Sequence, residues 1–293
     1  MLLQRGLDKV EFNMKRYCRI HIFAASILLF GLSGCGGGGG DSCGGAAALV
    51  GLAGCAGGGG SSSSSSSSAP AVVESVVQGV YQGTTSNGKT EDAIVLEDGT
   101  FWDIWGVPSG TALAVQGVAT GSSTASNGAF TLSFNDFPAP GNSPISGQGS
   151  GTYSGSNLIG TFTENGATAT FNFIAPVQVT YDYNAAANIS SILGSWSGGL
   201  LTGETATISI LAGGTISGTS SLGCSFTGTA APRPSGKNVF NVSLTFGGSP
   251  CVAANQVVSG IGVTYPLGNG TNQLVTGLVN SSQSLATAFF AQR

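Results

Sequence analysis

Five stretches in the first half of this chain return, in order, in the second half. GVYQG at 79–83 is matched by GSWSG at 194–198, and AIVLEDGTF at 93–101 by ISILAGGTI at 208–216. SNGAFTLSF at 126–134 is matched by GKNVFNVSL at 236–244, and ISGQGSGTY at 145–153 by VVSGIGVTY at 257–265. LIGTFTENGATATFNF at 158–173 then corresponds to LVTGLVNSSQSLATAFF at 274–290. The offsets stay near 110 to 118 residues. A fixed period of this kind means one structural plan used twice.

The repeated unit reads as strands. Its segments are rich in Val, Ile, Thr and Phe and are bounded by Gly, Asn, Ser and Pro. No run of ten or more residues keeps the i, i+3, i+4 apolar spacing of a helix. The first copy holds about eight candidate strands, near 76–83, 90–97, 100–106, 111–120, 128–135, 145–153, 157–164 and 168–175. The expected fold is therefore all-β, with two tandem antiparallel domains of about eight strands at 72–178 and 189–293, joined by a linker at 179–188. Short strands and tight turns suit a small up-and-down barrel, with a sandwich as the alternative. Gly147, Gly149 and Gly151 share one face, as a sharply coiled barrel wall requires. Asp98-Gly99 and Gly213-Gly214 are expected to form type I′ hairpin turns. A single sixteen-strand membrane barrel is the rival, but its spanning strands need about 9–11 residues.

Charge narrows the function. Charged residues are 8% of the chain and Gly is 49 of 293. Beyond residue 34 there remain four basic residues (Lys89, Arg233, Lys237 and Arg293) against eleven acidic ones, which leaves −7. Such a body is not expected to bind nucleic acid, whose phosphates call for clustered Lys and Arg. His21 is the only histidine and lies in the leader, so the mature chain lacks what a Ser-His-Asp triad, a Cys-His pair or a histidine zinc site needs. No cofactor, metal site or enzymatic activity is expected.

IHIFAASILLFGL at 20–32 has the length of a signal-peptide core, with Lys15, Arg16 and Arg19 in front. A start at Met14 would give an ordinary signal peptide, and residues 1–34 are read as that leader. It ends in Leu32-Ser33-Gly34-Cys35, which resembles the lipobox of bacterial lipoproteins. The resemblance implies a lipidated Cys35 and, with Gly36 following, sorting to the outer membrane through an N-terminal lipid. Leu52-Ala53-Gly54-Cys55 also fits but lacks a basic flank, so Cys55 is the alternative anchor. Residues 35–71, with GGGGG, GGGG and SSSSSSSS, read as a flexible tether reaching about 30–37 Å. An exported chain favours pairing Cys224 with Cys251, worth about 3–4 kcal/mol on the chain-entropy view. Cys43 and Cys55 either pair in the tether or stay free.

With a lipobox, a Gly-rich tether and two β-rich lobes carrying SG…GTY…G.F…NG…F.F, residues 35–293 resemble in layout the surface lipoproteins of the transferrin-binding type. That resemblance implies small eight-stranded barrels beside handle-like sheets, and display at the surface. It carries over neither transferrin nor any binding residue.

EDAIVLEDGTFWDIWG joins Glu91, Asp92, Glu97, Asp98 and Asp103 to Phe101, Trp102 and Trp105. Phe101, Trp102, Asp103 and Trp105 are the candidate ligand patch; alternation puts Trp102 and Ile104 on one face and Phe101, Asp103 and Trp105 on the other, one of them core and the other a binding surface. Core packing and a turn at Asp98 are the simpler reading. Glycoside hydrolysis would need two of the acids about 5–9.5 Å apart. Tyr81 and Trp196 hold matching positions and are expected inside their domains. Tyr181 and Tyr183 are placed to seal a lobe–lobe contact, and Arg233 and Lys237 lie in a loop read as solvated or as a partner contact. The function expected is non-enzymatic binding or a structural role at the envelope, with a protein or small-ligand partner. A lipocalin-like carrier of an apolar ligand is the alternative, and a carboxylate-based glycoside hydrolase is a further, lesser one.

Overall fold

The computed structural model describes residues 77–109, 112–138, 143–175, 181–267 and 269–293. The leader at 1–34, Cys35, Cys43, Cys55 and the tether at 35–71 lie outside the described residues. Among the described residues, sixteen strands form two closed antiparallel barrels. The first runs β1 (Gly79–Thr85), β2 (Thr90–Val95), β3 (Thr100–Ser109), β4 (Ala112–Ser126), β5 (Ala129–Phe137), β6 (Ile145–Ser154), β7 (Asn157–Glu164) and β8 (Ala167–Ile174). The second runs β9 (Gly194–Leu200), β10 (Thr205–Ile210), β11 (Thr215–Ser220), β12 (Ser225–Pro232), β13 (Phe240–Phe246), β14 (Val257–Pro266), β15 (Asn272–Asn280) and β16 (Ala286–Gln292). Each strand pairs with its neighbour in sequence. Gln82↔Ile174 closes barrel 1 and Phe290↔Gly199 closes barrel 2. Two rings of eight thus stand where one of sixteen was the rival, and closure leaves neither barrel a free edge.

The turns differ from expectation. Type I′ needs φ > 0 at both central residues. Only Gly99 (φ 82) and Gly214 (φ 78) have it, and their N–H groups bond back to Leu96 O and Leu211 O. These are three-residue turns ending in a left-handed glycine. Both central residues have positive φ at Asn127-Gly128 and at Asn165-Gly166, between Ser126↔Ala129 and Glu164↔Ala167.

Burial separates two kinds of strand. In β8, Ala169, Phe171 and Phe173 point inward and Thr168, Thr170 and Asn172 face solvent. β2, β3, β15 and β16 are instead buried on both faces, so they read as nearly continuous apolar runs. Their outer faces meet: β16 packs on β4 and β15 on β3. The Trp102 ring lies against Gly260 and Gly277, where a Cβ would collide with it or crowd it. Ile104, Val118, Val263, Val275 and Phe290 complete this shared apolar layer. Both barrels belong to one compact unit.

Polar contacts border the layer. Arg233 pairs with Glu97 (2.7 Å) and Asp98 (2.6 Å), and the Tyr183 hydroxyl donates to Glu97 at 3.0 Å. Arg233 is therefore engaged by the opposite barrel, and Lys237 donates to Asn184. Tyr181 donates to Asn238 O and its ring meets that of Tyr265 edge-on. Gln82 and Tyr265 both donate to buried Asp92, at 2.6 and 3.0 Å. Cys224 and Cys251 are joined by a disulfide in barrel 2.

Candidate functional site

The interiors of the two barrels differ in kind. Tyr81 and Trp196 are both buried inside, in barrel 1 and barrel 2 respectively. Trp196 donates to Ile192 O at 2.8 Å, and the Arg293 guanidinium covers its ring at 4.1 Å. Barrel 2 is otherwise filled by residues such as Ile208, Ile216, Phe226, Phe240 and Leu278, leaving a void of about 40 Å³. Barrel 1 keeps a cavity of about 150 Å³. Its floor is made of Phe101, Phe134, Phe162, Phe171 and Phe173. Above them stand four carboxyl groups, those of Glu91, Asp103, Asp136 and Glu164.

Strand geometry collects these acids. Side chains two apart share a face. Asp103 follows Phe101, Asp136 follows Phe134 and Glu164 follows Phe162, each by one inward step. β3, β5 and β7 run in the same direction, so the three acids reach one end of the barrel. Asp103 and Asp136 both pair with Ala119 of β4, whose small side chain leaves the space between them open. Glu91 arrives from β2, opposite Trp105. The β3–β4 register shifts between Trp105 and Gly106, where Trp105 pairs with Gly117 and Gly106 with Val115. The bulge turns Gln116 toward Lys89, its hydrogen-bond donor. A Cβ at position 117 would run into the indole, so glycine there seats Trp105.

Burial dominates the electrostatics. It pushes Glu91 up to about 7, against a lowering hydrogen bond with Asp103, and it pushes Asp136 up to about 7. Asp103 rises well above the usual carboxylate range, first through burial and then through the charge of Glu91 and a hydrogen bond to it. Burial also raises Glu164, which hydrogen-bonds Asp136. Electrostatically, Glu91 is thus linked with Asp103 and Asp136 with Glu164. Trp105 Nε1 donates to Asp136 Oδ1 at 2.7 Å, while buried Asp103 Oδ1 finds no donor among the described residues. The Lys89 ammonium lies 5.1 Å from the centre of the Trp105 ring.

The candidate patch from the sequence is therefore divided. Phe101, Asp103 and Trp105 face the cavity, while Trp102 faces the opposite barrel. Of the five acids noted together, Glu91 and Asp103 belong to the cavity. Asp92 bonds Tyr265, and Glu97 and Asp98 hold Arg233. Asp136 and Glu164 were missed, although an acid one inward step after a phenylalanine was a signal they shared with Asp103. No three acids converge as metal ligands among the described residues.

Fold and site define a twin eight-stranded barrel protein with an acidic cavity in its first lobe. No protein-family model and no curated protein matches the chain. Among solved structures, the isotype 1 transferrin-binding protein B of serogroup B Neisseria meningitidis is similar over 70% of this chain and 66% of that one, with 10% identity and a TM-score of 0.26. The chain thus spans just under two thirds of that protein's length.

Proposed function

We propose that this chain is a non-enzymatic binding lipoprotein of the outer membrane, anchored by acylated Cys35 and holding its two fused barrels away from the bilayer on the 35–71 tether. The binding site is the cavity of barrel 1. One observation carries the reading: the same plan is built twice with opposite interiors. Through the repeat, Ala206, Gly218, Phe246 and Asn280 take the places of Glu91, Asp103, Asp136 and Glu164. Barrel 2 closes without those acids, so the fold does not require them. Burying four carboxyl groups is costly, and a lobe that only filled space would have no use for them.

The carrier reading has less support. An apolar ligand of ordinary size needs roughly 300 Å³ or more, against about 150 and 40 Å³ here. Glycoside hydrolysis also has less support, because burial raises all four acids together and does not set a raised general acid against an ionised partner.

Native mass spectrometry of the full chain extracted from its envelope is expected to show a small molecule retained, and lost when Ala119→Leu fills the cavity. A chain that carries nothing in either form, and that binds none of the probes named below, would refute the binding role. Fatty-acid labelling of growing cells is expected to mark the wild type and Cys55→Ser but not Cys35→Ser. A labelled Cys35→Ser would move the anchor to Cys55.

A further inference from the structure

The lining of barrel 1 is rich in carboxyl groups and poor in cations. Four carboxyl groups face the cavity, from β2 (Glu91), β3 (Asp103), β5 (Asp136) and β7 (Glu164). Lys89, from the turn before β2, is the one cation among the described residues of that lining, and its ammonium is already held by Gln116 and the Trp105 ring. β4 and β8 add only uncharged groups, Ala119 and the phenylalanines. Trp105 Nε1 is spent on Asp136. Asp103 Oδ1, on a residue 6% exposed, is left without a donor. A buried acceptor in that state costs free energy until a donor reaches it.

We infer that the barrel 1 cavity binds a small organic cation, a protonated primary amine on a short apolar body. The inference rests on the binding reading above and names its ligand class. An ammonium brings three N–H donors and one positive charge, which the acids lack. The rim already carries such a group, since Lys89 sits over Trp105 as a cation does on an aromatic face. A bare metal ion fits less well, because no three acids among the described residues converge on one point. The phenylalanine floor takes the apolar end. A cavity of about 150 Å³ is the size that admits one benzene ring, which sets the body at a single ring or a short chain.

Binding a cation expels protons that the raised acids hold. Glu91 and Asp136 lie near 7, with Asp103 and Glu164 raised beside them. An alkylamine stays protonated through this range. Affinity therefore rises as pH rises through 7.

The test is calorimetry on the full chain with benzylamine, benzyl alcohol, benzoate and calcium chloride, at pH 6 and pH 8. Benzylamine is expected to bind one to one, at least tenfold tighter than benzyl alcohol and several-fold tighter at pH 8 than at pH 6, with proton release. Asp103→Asn should weaken it at least tenfold. Glu164→Gln, at the half-buried rim, should weaken it several-fold and guards against a misfolded core variant. Glu204→Gln, in the β9–β10 turn, should change nothing. Equal or tighter binding of benzyl alcohol or benzoate would overturn the amine assignment and leave the binding role standing. Calcium binding that excludes benzylamine would replace it with a metal site. Binding of none of the four probes would overturn it outright. Joined to an empty chain in native mass spectrometry, that last result would retire the binding role as well.

Discussion

Glu91 and Glu97 lie close in sequence and titrate in opposite directions. Glu91 is raised to about 7 by burial, and Asp136 and Asp92 rise with it, to about 7 and about 6. Groups raised in the folded state favour folding below their unfolded values near 4, and that contribution is lost as pH rises through 6–7. For Glu97, burial works upward, but the bond from Arg233 and further hydrogen bonds prevail and hold it down to about 2. Its contribution is present above about 4.5 and is lost as pH falls toward 2. Thermal stability is therefore expected to crest near pH 4–5 and decline toward pH 8. Glu91→Gln should flatten the decline, with a gain on the order of 2 kcal/mol at pH 8, and a melting series across that range checks it. A wild-type profile that climbs from pH 5 to pH 8 would contradict the acid pairs. Alternation alone placed Phe101, Asp103 and Trp105 together. It was silent on Trp102, because one strand does not reveal that a second barrel covers its outer face.

Among the elements, the repeat and the strand composition made two antiparallel eight-stranded units legible, and the glycine face of β6 fitted a barrel wall. Strand length was less legible. β4 runs on to Ser126 because β5 remains available to pair with it well past 120. The turns at Gly99 and Gly214 were misread because a glycine after Asp or Gly suits both a two-residue turn and a three-residue one. The strand register, set by side chains far along the chain, decides between them. The disulfide belongs to this scale. It ties the start of β12 to the β13–β14 loop across 27 residues. Replacing both cysteines by serine is expected to cost about 3.5 kcal/mol on the chain-entropy view. Chemical denaturation with the disulfide intact and removed measures it. A loss below about 1 kcal/mol would mean that hairpin contacts alone hold the loop.

For the whole molecule, the decisive feature is the layer where β3 and β4 meet β15 and β16. Trp102 lies 6% exposed on the backbone of Gly260 and Gly277. Trp102→Ala is expected to cost about 3–5 kcal/mol and to split one calorimetric unfolding transition into two. Gly277→Val should act in the same direction, since its side chain would crowd Trp102, Val118 and Ile104. A single transition that survives both substitutions would mean that the barrels are coupled by other contacts.

That layer also limits how the two copies can change. Severed near residue 180, either half would be released with a greasy stripe that its twin normally hides, so trimming or trading a lone half yields a sticky fragment. The copies are free to diverge inside, where one has become hollow and acidic and the other solid, but their abutting walls must drift in step.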